Sequence, residues 1–152
     1  MSLDCKIPPP LVLLITGGTM WAVDGALPEL RWTMAAHVVV AVGMLMLGGL
    51  AMLVAFVGFL KARTTVNPLN PDKTTALVTS GIYRYSRNPI YLGDVLVLFG
   101  WSMYLQSAAA LVLIALFVMY INRYQIEPEE NALLEKFGQH FESYKRTTRR
   151  WI

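Results

Sequence analysis

The chain has a single cysteine, Cys5, and only two histidines, His37 and His140. One cysteine excludes an intramolecular disulfide and any cysteine-cluster metal site. Two histidines far apart in sequence give no metal-ligand spacing, so no metal is expected. Charge is missing where its absence says most. From Thr33 to Leu60 there is no Asp, Glu, Lys or Arg, and from Ile90 to Asn122 there is only Asp94. A helix of a soluble protein shows a polar side to water, and these runs have none. A broad basic face is also lacking: the net charge is +3 and comes mainly from one loop and the tail, which excludes a nucleic-acid-binding class.

What is present is apolar surface. Of 152 residues, 55% are hydrophobic against 15% charged, enough for one unit, residues 1–152. Roughly 20 apolar residues cross the hydrocarbon layer, so the long uncharged runs read as bilayer-embedded. The expected fold is an all-α integral membrane protein with about four transmembrane helices and a C-terminal amphipathic cytoplasmic helix. Pro8-Pro9-Pro10 leads into a first helix over about 11–27, with Asp24 near the interface. Its run Leu11–Val23 also has the length of a signal-peptide hydrophobic region, the alternative reading. The second helix covers 33–60. Its small residues Gly43, Gly48, Gly49, Ala51, Ala55 and Gly58 allow close packing within the chain, or a homodimer seam that nothing demands.

Residues 61–88 form a polar loop with the turn dipeptides Asn67-Pro68 and Asn70-Pro71. A loop this long is uncommon unless it carries function. Two further helices follow, over about 89–106 and 107–125, joined too tightly for anything but an antiparallel hairpin. In the tail, Glu130, Leu134, Phe137, Phe141 and Tyr144 recur at helical spacing and predict an amphipathic helix over 129–146. The loop holds Lys61, Arg63, Lys73, Arg84 and Arg87 against Asp72 alone, which places it on the cytoplasmic side, that of the inner membrane if the source is bacterial. Four spans then bring both termini to the same side, so loop and tail can meet.

Three polar groups converge there: the segment 81–93, Asp94, and the set Arg123, Glu127, Glu129 and Glu130. Each has a plain structural explanation. Asn88-Pro89 suits a helix start, with Asn as cap and Pro at the first helical position. The arginines suit lipid phosphates, and acids just after Pro128 favour a helix N-terminus. Asp94 is different, since an acid in a membrane helix is costly and usually has a functional partner. Together the groups suggest a site for a small zwitterion bearing a further positive centre. Paired carboxylates hold its cationic part, arginines its anionic part, and tyrosine rings attract a cation.

The residues Gly81-Ile82-Tyr83-Arg84, Arg87-Asn88-Pro89-Ile90-Tyr91-Leu92-Gly93, Ile126-Glu127-Pro128-Glu129-Glu130, Phe137-Gly138 and Tyr144 resemble the isoprenylcysteine carboxyl methyltransferase family. The related phospholipid N-methyltransferases share the glycine-led segment and the Glu-Glu pair. The resemblance runs from about Thr64 to Trp151. It implies an S-adenosylmethionine-dependent methyltransferase in the membrane, acting on a lipophilic acceptor that enters from the bilayer among membrane lipids. That acceptor is an isoprenylcysteine-type carboxylate, a phospholipid amine or a small thiol. The implied cofactor-binding residues are Tyr83, Arg84, Arg87, Asn88, Pro89, Tyr91, Gly93, Glu129 and Glu130, and the implied catalytic ones are Glu129, Arg123 and Asp94. Asn88 stands where the family has histidine and cannot titrate. Gln125 stands where an arginine is frequent, and the nearest arginine is Arg123. A membrane-embedded NADPH-dependent reductase and a non-catalytic membrane scaffold are the competing classes.

Overall fold

A computed structural model describes residues 7–62 and 76–152. Cys5, Arg63, Asp72, Lys73 and both Asn-Pro turns lie outside the described residues. The described chain is helical. It comprises α1 (Pro9–Ala26), α2 (His37–Lys61), α3 (Pro89–Leu105), α4 (Ala108–Ile121), α5 (Glu127–Phe137) and α6 (Gln139–Thr147). Short 3-10 turns occupy Pro28–Leu30 and Gly81–Arg84. Two helical runs are long and apolar enough to cross a membrane: α2, and the continuous run Ala108–Phe137. The apolar part of the second run is α4, and polar α5 lies beyond it. α3 is apolar and shorter, with 17 residues.

α2 and α3 touch along a seam made possible by the absence of side chains. A Cβ on Gly93 would stand 2.5 Å from Cγ of Met52 and 2.8 Å from the carbonyl oxygen of Gly48. One on Gly100 would lie 2.9 Å from the carbonyl oxygen of Ala41. Where lipid removes the hydrophobic drive between helices, such backbone approach supplies packing energy instead. Met20, Tyr91, Leu98, Ile114, Phe117 and Ile121 fill the core between α1, α3 and α4. α1 is fastened to α3 by the Trp101 indole N–H, which donates to the Gly17 carbonyl at 3.1 Å. Outward, α2 leaves Val39, Met46, Leu50 and Leu53 exposed, an apolar surface too continuous for water.

At the end of the molecule away from the tail, the two connections interlock. Gln106 takes the left-handed conformation (φ 55°) that turns α3 into α4. Its carbonyl accepts the Trp32 N–H at 2.8 Å, and its amide donates to the Met34 carbonyl at 3.1 Å. Arg31 pairs across an isolated bridge with Ser107 and also holds buried Asp24 by a two-pronged ion pair. This tie keeps residues 33–36 out of the helix expected from Thr33, so α2 begins at His37.

Two features of the other end differ from the expected single tail helix. After α4 the backbone widens into a π turn, Asn122–Ile126, where the Glu127 N–H reaches the Asn122 carbonyl. The tail is then broken at Gly138 (φ 49°, ψ −123°) into α5 and α6. That backbone conformation belongs almost to glycine alone. Gly138→Ala is therefore expected to destabilise by about 1–3 kcal/mol although a Cβ there meets nothing within 4 Å. A thermal melt in detergent checks this, and an unchanged midpoint would contradict the strain assignment.

Candidate active site

The segment before α3 and the tail come together. The Arg87 N–H donates to the Arg149 carbonyl at 3.0 Å, and the Tyr144 hydroxyl donates to the Tyr83 carbonyl at 2.6 Å. The Thr148 hydroxyl donates to the Arg84 carbonyl at 3.4 Å. Pro89 opens α3 as its first residue, where its missing N–H costs nothing. Asn88 does not cap α3 with its side chain, contrary to the sequence expectation. Its Nδ2 is drawn instead to the Arg150 carbonyl at 3.0 Å, while its own N–H donates to the Ser86 hydroxyl at 3.1 Å.

An ionic cluster sits under this junction. Glu130, 9% exposed in its side chain, receives Arg87 at 2.7 Å and Arg150 at 2.7 Å, one on each carboxylate oxygen. Arg87 also donates to the carbonyls of Thr148 and Lys145. Burial works against the charge on Glu130, but the hydrogen bonds from Arg150 and Arg87 outweigh it and hold the carboxyl below its usual range. Glu129, one residue earlier, meets no arginine among the described residues. It accepts the Tyr91 hydroxyl at 2.6 Å. Burial pushes its carboxyl up to about 7, against the Tyr91 hydrogen bond and with help from the charge of Glu130. The adjacent acids are thus set for different tasks, one whose charged form the arginines favour and one poised near neutrality.

A cleft of about 550 Å³, open mouth included, lies over these groups. Arg87, Asn88, Glu129 and Glu130 are its polar walls and Phe59, Leu77, Val78, Leu133 and Phe141 its apolar ones, and Tyr83 and Tyr144 also line it. The Tyr83 ring packs edge-on to Phe59 with centroids 5.3 Å apart, which joins the end of α2 to the site. Burial pushes the Tyr144 phenol up to about 12 and the Tyr83 phenol higher, so both remain protonated donors.

The structure thus brings Tyr83, Arg87, Asn88, Glu129 and Glu130 to one cleft, with Tyr91 behind Glu129. The other candidates fall elsewhere. Gly93 packs α3 on α2. Asp94 is buried, 4% exposed, one turn beyond Tyr91, and is not among the cleft walls. Arg84 is exposed. Arg123 lies on the surface, paired at 2.9 Å with Glu127 one turn on. Sequence reasoning did not find Arg150 or Phe59. Basic residues beside a terminal Trp look the same whether they face headgroups or a carboxylate, and Phe59 is one more apolar residue in an apolar run.

A family model described as phospholipid methyltransferase matches residues 36–140. The chain belongs to this family. A Haemophilus influenzae protein carrying only the description "Uncharacterized protein" is 36% identical over 63 residues, 41% of this chain and all of its own length. The Protein-S-isoprenylcysteine O-methyltransferase of Schizosaccharomyces pombe is 33% identical over 75 residues, 49% of this chain and 32% of that enzyme. The matched part is therefore about a third of the yeast protein. No solved structure matches the chain.

Proposed function

We propose that this chain is an S-adenosylmethionine-dependent membrane methyltransferase with four spans, its cleft on the cytoplasmic side, acting on a lipophilic acceptor. The observation that carries the reading is the acid pair Glu129–Glu130 in a cleft that apolar side chains also line. The donor set fits the cofactor's chemistry: carboxylates for its ammonium and sulfonium charges, aromatic rings for the same cation, and neutral donors for its oxygens. When bound, the cofactor supplies a methyl group activated by the positive sulfur. The protein's share is mainly positioning.

Arg87 and Arg150 favour the charged form of Glu130. Glu129 offers a carboxylate that takes up a proton near neutrality, the property needed to relieve an amine acceptor of its proton. Phe59, Leu133 and Phe141 limit water at the apolar wall, which favours reactions in which charge is neutralised. An acceptor with an isoprenyl or acyl tail reaches that wall from the bilayer, and carboxylate, phospholipid amine and thiol are its candidate reacting groups.

Calorimetric titration of the purified chain with S-adenosylmethionine and, separately, NADPH tests the reading. Binding of the first alone is expected; binding of NADPH alone would replace this reading with a reductase. Because Glu129 titrates near 7 and its charged form attracts a cation, affinity for S-adenosylmethionine should rise from pH 6 to pH 8. In Glu129→Gln that rise should vanish. A slope that persists in the variant would remove Glu129 from cofactor binding.

A further inference from the structure

Lys61, Arg84, Lys145, Arg146 and Arg149 are exposed and form no ion pair among the described residues, whereas Arg31, Arg87, Arg123 and Arg150 each hold an acid. These unpaired cations all lie at the end of the molecule that carries the cleft: Lys61 closes α2, Arg84 is in the turn before α3, and the rest belong to α6 and the residues after it. The exposed acids at that end are Glu135 and Glu142. At the opposite end the exposed charges are Glu29 and Arg31, and Arg31 is held by Asp24. Uncompensated positive charge is therefore one-sided.

Three of the cations are placed by their backbones, which leaves their side chains outward. The Arg84 carbonyl accepts the Thr148 hydroxyl, the Arg149 carbonyl accepts the Arg87 N–H, and the Lys145 carbonyl accepts the Arg87 guanidinium at 3.5 Å. Arg84 thus stands on the turn and the other two on the tail, one on each side of the junction. Their depth is set by the neighbouring helices. Apolar α3 begins at Pro89, just beyond Arg84, and the Tyr83–Phe59 ring contact ties this turn to the last turn of α2. Cations at the point where apolar helices leave the hydrocarbon stand among lipid headgroups. Tyr85, 74% exposed beside Arg84, suits the same layer. α6 adds charge there without inserting, because its Phe141 and Tyr144 are buried in the protein and its outward face is polar.

We propose that Arg84, Lys145 and Arg149 form a docking rim for the headgroups of anionic phospholipid. A lipid phosphate between Arg84 and a tail cation bridges the same two segments that Arg87 joins beneath. Negatively charged lipid therefore tightens the closure of the tail on the turn. This inference needs the membrane but not the reaction, so it stands or falls apart from the methyltransferase reading.

The test is thermal melting of the full chain in detergent micelles into which phosphatidylglycerol or, separately, phosphatidylcholine is titrated. Phosphatidylglycerol should raise the melting temperature to a plateau, phosphatidylcholine should not, and the rise should shrink in high salt. Arg84→Gln, Lys145→Gln and Arg149→Gln should each move the midpoint of the titration to about fivefold more phosphatidylglycerol. Their melting temperatures in its absence should match the wild type's, since the bonds that hold the junction come from backbone at these positions. Arg123→Gln removes a surface cation already paired with Glu127 and should leave the midpoint within about twofold. A wild type that ignores phosphatidylglycerol, or responds equally to phosphatidylcholine, would overturn the proposal. So would a triple variant that responds like the wild type, or an equal shift in Arg123→Gln. If polyglutamate raises the melting temperature as phosphatidylglycerol does, the rim is a face for acidic protein and the lipid assignment fails.

Discussion

Arg87→Ala is expected to abolish measurable S-adenosylmethionine binding and to destabilise the fold by about 3–5 kcal/mol. The Arg87 side chain is 10% exposed, so its charge is withdrawn from water and repaid only by its partners. Those are Glu130, through two nitrogens, and the carbonyls of Lys145 and Thr148. Removing it leaves a buried carboxylate with Arg150 alone and two carbonyls short of a donor. Two consequences separate this loss from a simple charge effect. Arg87→Lys retains the positive charge but not the planar fork, and should recover only part of the stability. Glu130→Gln keeps the shape of the acceptor and removes the charge, leaving the withdrawn Arg87 and the half-buried Arg150 facing a neutral amide. Its melting temperature should fall as well. Thermal unfolding in detergent, read beside calorimetry, decides the matter. An Arg87→Ala protein that melts like the wild type would mean that the cluster does not hold the tail to the loop.

The second large effect belongs to the seam between α2 and α3. Gly93→Leu should cost about 3 kcal/mol or more, because the new side chain meets the Gly48 carbonyl, and backbone cannot rotate out of the way. Gly49 offers an internal control. A Cβ there meets nothing within 4 Å, so Gly49→Ala should be neutral or slightly stabilising through helix propensity. The comparison also separates packing from ligand contact at Gly93. With the milder Gly93→Ala, the melting temperature should drop while the folded fraction binds cofactor with unchanged affinity. An intact melting temperature with lost affinity would return Gly93 to the cofactor site.

Much of this architecture was legible because lipid imposes a coarse rule on sequence. Uncharged runs became α2, α3 and α4 within a few residues of their expected limits, and the meeting of loop and tail was anticipated from the placement of basic residues. The start of α2 was misjudged because Thr33–Ala36 are chemically able to be helical. What stops them is a hydrogen bond from Trp32 to Gln106, distant in sequence. The break at Gly138 was missed for a related reason: helical spacing continues across it from Phe137 to Phe141, and periodicity does not report a backbone turn. Within the site, Arg87, Glu129 and Glu130 stood out by type and company. Arg123 looked equivalent to Arg87 on the page, yet a helical turn joins it to Glu127 at the surface. Arg150 lies beyond the expected tail helix, yet half of the pairing of Glu130 depends on it.

The π turn at Asn122–Ile126 carries a consequence for the two acids. The buried residues of the run that contains it fall at Ala110, Ile114, Phe117, Ile121 and Gln125, steps of four, three, four and four, and then at Ile126 and Glu130. The adjacent pair Gln125 and Ile126 marks the surplus residue of the wider turn, and the stripe moves on there by one position, about 100° of rotation on a regular helix. Steps of four from Gln125 lead to Glu129 and from Ile126 to Glu130, so the wider turn lets two neighbouring acids line one cleft.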